Sequence, residues 1–167
     1  DMRKTRKRED GLSVAVARTK FAKDADLALG AFLDFIDPRD VGTASYGAAQ
    51  NNRPEAVRLL HELRADLDKP STWQGGTPTG IAAHQGHKAM VQLFYDLGAD
   101  VHRARNDRQR PIHAAARGGK DKIVLLLLSL RASTDAQDNE GRTPCFEAAF
   151  DGQAKVVRLL IMHRASF

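Results

Sequence analysis

The chain has 167 residues, 28% of them charged and 6% aromatic, with a formal net charge of +5. Its one cysteine, Cys145, excludes an internal disulfide, so the composition implies no oxidising compartment. The longest apolar run, Ile123 to Leu128, falls far short of the ~20 residues that span a bilayer.

The first predicted element is a basic arm over residues 1–10. Arg3, Lys4, Arg6, Lys7 and Arg8 crowd together among Asp1, Glu9 and Asp10, which places +2 of the net +5 there. Such a run reads as a solvated tail; a nuclear-localisation or nucleic-acid role is the second reading. The chain starts at Asp1, not methionine, as a processed or excerpted product would. Residues 11–39 follow as a predicted cap. Leu12, Val16 and Phe21 suit one helix, and Leu27, Ala31, Phe32 and Phe35 recur at helical spacing on a second that Pro38 closes. The alternative for this segment is a diverged repeat with a shortened hairpin.

From about residue 40 to the end the chain repeats itself. Gly76-Thr77-Pro78 precedes Ala82-Ala83 and Gly86-His87; Arg110-Pro111-Ile112-His113 precedes Ala115-Ala116 and Gly119; Gly141-Arg142-Thr143-Pro144 precedes Ala148-Ala149 and Gly152. Pro78 to Pro111 and Pro111 to Pro144 are both steps of 33, and Val91, Val124 and Val157 keep the same step. A weaker copy, with Thr43, Ala48-Ala49 and Val57, lies upstream. Four units are predicted, over about 42–75, 76–108, 109–140 and 141–167. Each reads as a short alanine-rich helix, a glycine break and a longer leucine-rich helix. In the third unit these are Ile112 to Arg117, Gly118-Gly119 and Lys122 to Leu130. Proline suits the helix start, where its missing N–H removes no intrahelical bond. Paired alanines let neighbouring first helices approach closely, and the leucines and valines fill the space behind. A unit of this kind buries its apolar face only against its neighbours.

This pattern resembles the ankyrin repeat, with its Thr-Pro-Leu-His-x-Ala phrase and 33-residue period. The resemblance implies an all-α ankyrin-repeat solenoid of stacked helix-turn-helix units joined by β-hairpin-like loops. Departures mark natural drift and a scaffold of ordinary or modest stability. Thr79-Gly80 and Cys145-Phe146 stand where the family has Leu-His, and the first unit, Thr43-Ala44-Ser45-Tyr46, lacks the proline. The register assigns Cys145 to the core. It makes His87 the structural Gly-His residue, despite the HxxH spacing with His84, and gives His113 a backbone hydrogen-bonding role. No catalytic constellation, cofactor motif or metal site emerges.

The resemblance also implies that a protein partner docks on the concave face, formed by hairpin tips and the exposed side of the first helices. Those helix positions are Gln50 and Asn51; Ile81, His84 and Gln85; Arg117; then Glu147, Phe150 and Asp151. Ile81 and Phe150 together suggest an apolar stripe. The tips fall near Thr72 to Gln74, Arg105 to Arg108 and Asp138 to Glu140. The first hairpin is one residue longer and carries Trp73, the only tryptophan, as a candidate anchor; folding back over a neighbouring hairpin is its other role. The second hairpin is basic, with Arg103, Arg105, Arg108 and Arg110, and the third acidic, with Asp135, Asp138 and Glu140. These tips suit either pairing with each other or orienting a dipolar partner. The expected function is a non-catalytic, intracellular and chiefly cytoplasmic protein-binding module, with nuclear or organellar placement open. The alternatives are a structural subunit of a large assembly, or nucleic-acid binding through the arm and the arginine hairpin. No polar cap follows the last predicted helix, so either Phe167 and its neighbours stay partly exposed or the natural chain continues.

Overall fold

A computed structural model of the chain describes residues 41–62, 65–71 and 75–164. The basic arm, the cap and the tip residues Thr72, Trp73 and Gln74 lie outside the described residues. Within them are eight helices and no strand: α1 (Val41–Gln50), α2 (Pro54–Glu62), α3 (Pro78–Gln85), α4 (Lys88–Asp96), α5 (Pro111–Arg117), α6 (Asp121–Ser129), α7 (Pro144–Phe150) and α8 (Ala154–Arg164). None is long and apolar enough to cross a membrane.

Local chemistry sets each start. Pro78, Pro111 and Pro144 open the first helices of their pairs. Thr77 Oγ1 accepts from the Gly80 amide at 3.0 Å, and Thr143 Oγ1 from the Phe146 amide at 3.3 Å. Such a cap contributes about 1 kcal/mol. The equivalent residue before α5 is Arg110, whose side chain makes no cap bond because a guanidinium carries no acceptor. His113 substitutes in part: its Nδ1 accepts from the Arg110 amide at 3.1 Å.

The helix pairs stack in sequence order, α1 on α3, α3 on α5 and α5 on α7, with α4, α6 and α8 in a second layer. Ala48, Ala49, Ala82, Ala83, Ala115, Ala116 and Ala148 have no exposed surface. Side chains this small allow the first-helix backbones to close up. Between the layers, Leu60, Phe94, Leu127 and Leu160 occupy one register position, and Met90, Ile123 and Val156 another. Each fully buried side chain of this size contributes about 1.5–3 kcal/mol. Ala149 breaks the alanine rule and is exposed, as are Ile161 and Met162, because no described pair stacks beyond α7 and α8. Cys145, expected in the core, is half-buried at the same end.

The connecting loops are tight turns closed by backbone bonds. Arg105 N donates to Gln109 O at 2.8 Å and Asp138 N to Arg142 O at 3.1 Å, four residues apart. The first closes over five residues, with Ser71 N donating to Gly76 O at 2.9 Å, which places the extra residue inside that loop. All three corners turn through positive φ. Gly75 (61°) and Gly141 (74°) do so without steric cost, but the middle one is Arg108 at 62°. A Cβ in this region costs roughly 1–2 kcal/mol.

Candidate functional site

The concave surface divides into two grooves. The first, about 200 Å³, lies across α1, α3 and α5 and is lined by Tyr46, Gly76, Gly80, Ile81, His84, Arg105, Gln109, Arg110, Ala114 and Arg117, among others. One residue accounts for it. In the third pair, His113 fills the space between its helix and the next hairpin, its Nε2 lying 3.0 Å from Ala136 O and 3.2 Å from Arg142 O. Gly80 holds that position in the second pair, so the equivalent volume is open. In the first pair Tyr46 holds it, and its ring packs so tightly on Gly76 that a Cβ there would sit 2.9 Å from the ring.

The second groove, a broad trough of about 710 Å³, lies toward α7 and includes Arg105, Arg117, Arg142, Phe146, Glu147, Phe150 and Asp151. Phe150 is 80% exposed and Phe146 50%, and their rings stack at 6.2 Å between centroids with 17° between planes. Phe146 was not among the sequence candidates. Its spacing of four from Phe150 was the available signal, since residues four apart share a helix face.

Beneath the trough lies a polar network. Glu147 accepts from Arg117 Nε at 2.8 Å and from Gln109 Nε2 at 3.4 Å, and lies 3.3 Å from Arg142 Nε. Arg142 Nε also donates to Asp138 Oδ2 at 2.9 Å, and Arg117 Nη2 to Gln109 Oε1 at 3.1 Å. Burial would raise the Asp138 pKa. Hydrogen bonds from the Arg142 amide and guanidinium, the Glu140 amide and Gln109 outweigh it and lower the value to about 2. Glu147 is only 3% exposed. The expectation that it faces solvent is therefore corrected: it ties the last pair to the one before. The acidic hairpin compensates its own charge, since Asp138 pairs with Arg142 four residues on. The second and third hairpins are joined by backbone, Asn139 N donating to Asp107 O at 2.9 Å.

The remaining candidates distribute as follows. Ile81 is half-buried and His84 exposed, both in the first groove. Arg105 lines both grooves and lies 3.6 Å from Asp107. Arg108 and Asp151 are exposed, as are Gln50, Asn51 and Gln85, while Trp73 lies outside the described residues. Arg117 lines both grooves too, so Ile81 and Phe150 belong to separate grooves and form no continuous stripe. Burial, Arg117 and Lys120 hold the His84 pKa below the usual imidazole value, with Asp151 acting in the opposite sense. His87 Nε2 lies 3.3 Å from Gln50 O, a contact between pairs.

Residues 46–95 match the family model for ankyrin repeats (many copies), and residues 97–167 the model for ankyrin repeats (3 copies). The chain belongs to the ankyrin repeat family, whose repeats in general serve as protein–protein interaction modules. It is similar to ankyrin repeat and SOCS box protein 6 of Homo sapiens, 31% identical over 113 residues, which is 64% of this chain and 27% of that protein. The Mus musculus protein of that name is 33% identical over 90 residues, 53% of this chain and 22% of the relative. Ankyrin repeat and SOCS box protein 5 of Bos taurus is 33% identical over 75 residues, 45% and 22% of the two chains. The matched segment thus spans about a quarter of these relatives' length.

Proposed function

We propose that this chain is a non-catalytic docking module that holds a protein partner along its concave face. One observation carries the reading. His84, Phe146 and Phe150 occupy first-helix positions where the stack leaves them exposed, with Ile81 half-buried, while the alanines beside them in the first three pairs are wholly buried. An aromatic pair this exposed gains most from burial by a partner, and such anchors contribute about 2 kcal/mol or more each. Trp73, outside the described residues, is retained from the sequence as a further candidate anchor. The relatives' names set a SOCS box beside the ankyrin repeats, which supports a module serving an adaptor within a longer chain.

The test is cross-linking of the chain to proteins that co-purify with it, followed by affinity measurement on a Trp73→Ala, Phe150→Ala variant. Cross-links are expected at the hairpins and first helices, with affinity reduced about thirtyfold or more. Cross-links confined to the outer face of the second helices, around Tyr95 and Arg158, or an unchanged affinity, refute the reading. Salt separates it from nucleic-acid binding. Phosphate contacts weaken steeply as salt rises, whereas an aromatic-anchored interface changes little.

A further inference from the structure

We infer that the first groove receives an acidic side chain, aspartate or glutamate, presented by the protein partner. This rests on the concave face being the docking surface and adds the chemistry of what enters it.

Three observations converge. The first is size. At about 200 Å³ the groove holds about seven waters' worth of volume, and it is smaller than the ~300–1,000 Å³ of small-molecule pockets. It suits one inserted side chain. The second is charge. Arg105, Arg110 and Arg117 line it with His84, over the apolar surfaces of Tyr46 and Ile81, and among the described residues no carboxylate lines it, although Arg117 and Arg105 reach Glu147 and Asp107 outside it. Among the described residues Arg110 has no carboxylate within ion-pair distance.

The third is that this hairpin departs twice from the rule its neighbours keep. Thr77 and Thr143 cap their helices where Arg110 cannot, and Gly75 and Gly141 turn corners where Arg108 sits at positive φ. Departures from local preference concentrate where a residue serves a purpose other than folding. Both departures here put a guanidinium where stability favours something else. Gly80 is a third departure, and with Arg110 (though not Arg108) it lines the groove, opening the volume that an imidazole fills one pair later. The acidic residues Asp107, Glu140, Glu147 and Asp151 border the neighbouring trough. Arg105, Arg117 and Arg142 share that trough and pair with Asp107, Glu147 and Glu140, so its charge is largely compensated and it offers no continuous basic track to a nucleic-acid backbone.

The test uses two synthetic peptides, alike except that a central glutamate flanked by leucines in one is glutamine in the other. Each is titrated into the isotopically labelled chain and followed by amide chemical shifts. The glutamate peptide is expected to move Ile81, His84 and Ala114 and to bind about tenfold or more tighter than the glutamine peptide. Arg110→Thr should remove most of that preference without lowering the melting temperature, because threonine is the cap used in the flanking pairs. Gly80→His should abolish groove binding by filling it. A Cβ at Gly80 would sit 2.8 Å from Thr77 Oγ1, so the threonine must relax, as at the equivalent Phe146, whose amide lies 3.3 Å from Thr143 Oγ1.

Equal shifts in the groove from both peptides would leave the docking face standing and overturn the acidic assignment. Shifts confined to the second helices would overturn the docking face itself. Failure of the glutamate peptide to bind, displacement of it by inorganic phosphate, or tighter binding of a single-stranded RNA to the same residues would each overturn the carboxylate reading.

Discussion

Replacing Glu147 with alanine removes an acceptor that serves two guanidinium groups and an amide. The strongest contact is Arg117 Nε at 2.8 Å; those to Arg142 and Gln109, at 3.3 and 3.4 Å, are weaker. Breaking a fully buried ion pair costs about 3–5 kcal/mol because a charge is stranded. Here the side chains of Arg117 and Arg142 are 34% and 30% exposed, so water recovers part of the loss, and Asp138 still holds Arg142. The net cost should be about 2 kcal/mol. With a urea dependence of about 2 kcal/mol per molar for a chain this size, the midpoint should fall by about 1 M. Urea unfolding followed by circular dichroism measures this. A double-mutant cycle with Arg117→Met should return a coupling of about 1–2 kcal/mol. Glu147→Gln, which keeps an acceptor oxygen for Arg117, should lose roughly half as much as alanine. A midpoint shift below about 0.25 M, or a coupling near zero, would show that the network does not join the last two pairs and that Glu147 is available to a partner.

Two further outcomes are expected. Arg108→Gly should raise stability by about 1 kcal/mol in thermal unfolding, since it relieves the Cβ at φ 62° at a modest cost in chain entropy; a lower melting temperature would mean that the guanidinium makes a stabilising contact. Asp138 has a folded pKa depressed from 3.8 to about 2, so its contribution is complete above about pH 4 and disappears as pH falls toward 2. Because the Arg142 side chain that supplies part of this shift is 30% exposed, the contribution is discounted to about 1 kcal/mol, and Asp138→Asn should flatten the acid limb of stability against pH; an unchanged limb would refute the assignment.

The helices were largely legible in the sequence because their signals are local. Thr-Pro or Arg-Pro and a glycine break bracket the first helices of the last three pairs, and the predicted Lys122 to Leu130 helix is observed as Asp121–Ser129. Glu147 was not legible. Its repeat position reads as exposed, and its burial depends on Gln109 and Arg117, which come from a different pair and follow no period. Gly80 was visible as a departure, but its consequence was not. The opening emerges only once Tyr46, Ile81 and Arg110 are placed around it. The Phe146–Phe150 stack is half legible: Phe150 stands at an exposed first-helix position, whereas Phe146 reads only as a departure from the family's Leu-His.

The stitching between hairpins has a mechanical corollary. Asp68 receives the Asp100 amide, Asp107 the Asn139 amide, and His102 meets Leu130 O, so each such bond joins one pair to the next. Among the described residues these bonds carry tension only from one pair to its neighbour. Pulled from its two ends, it should yield one pair at a time, giving a series of small force peaks instead of one rupture. A partner seated across both grooves would bridge α1 to α7 and supply a tie longer than the pair-to-pair bonds among the described residues. Its arrival should therefore register as a merging of those peaks.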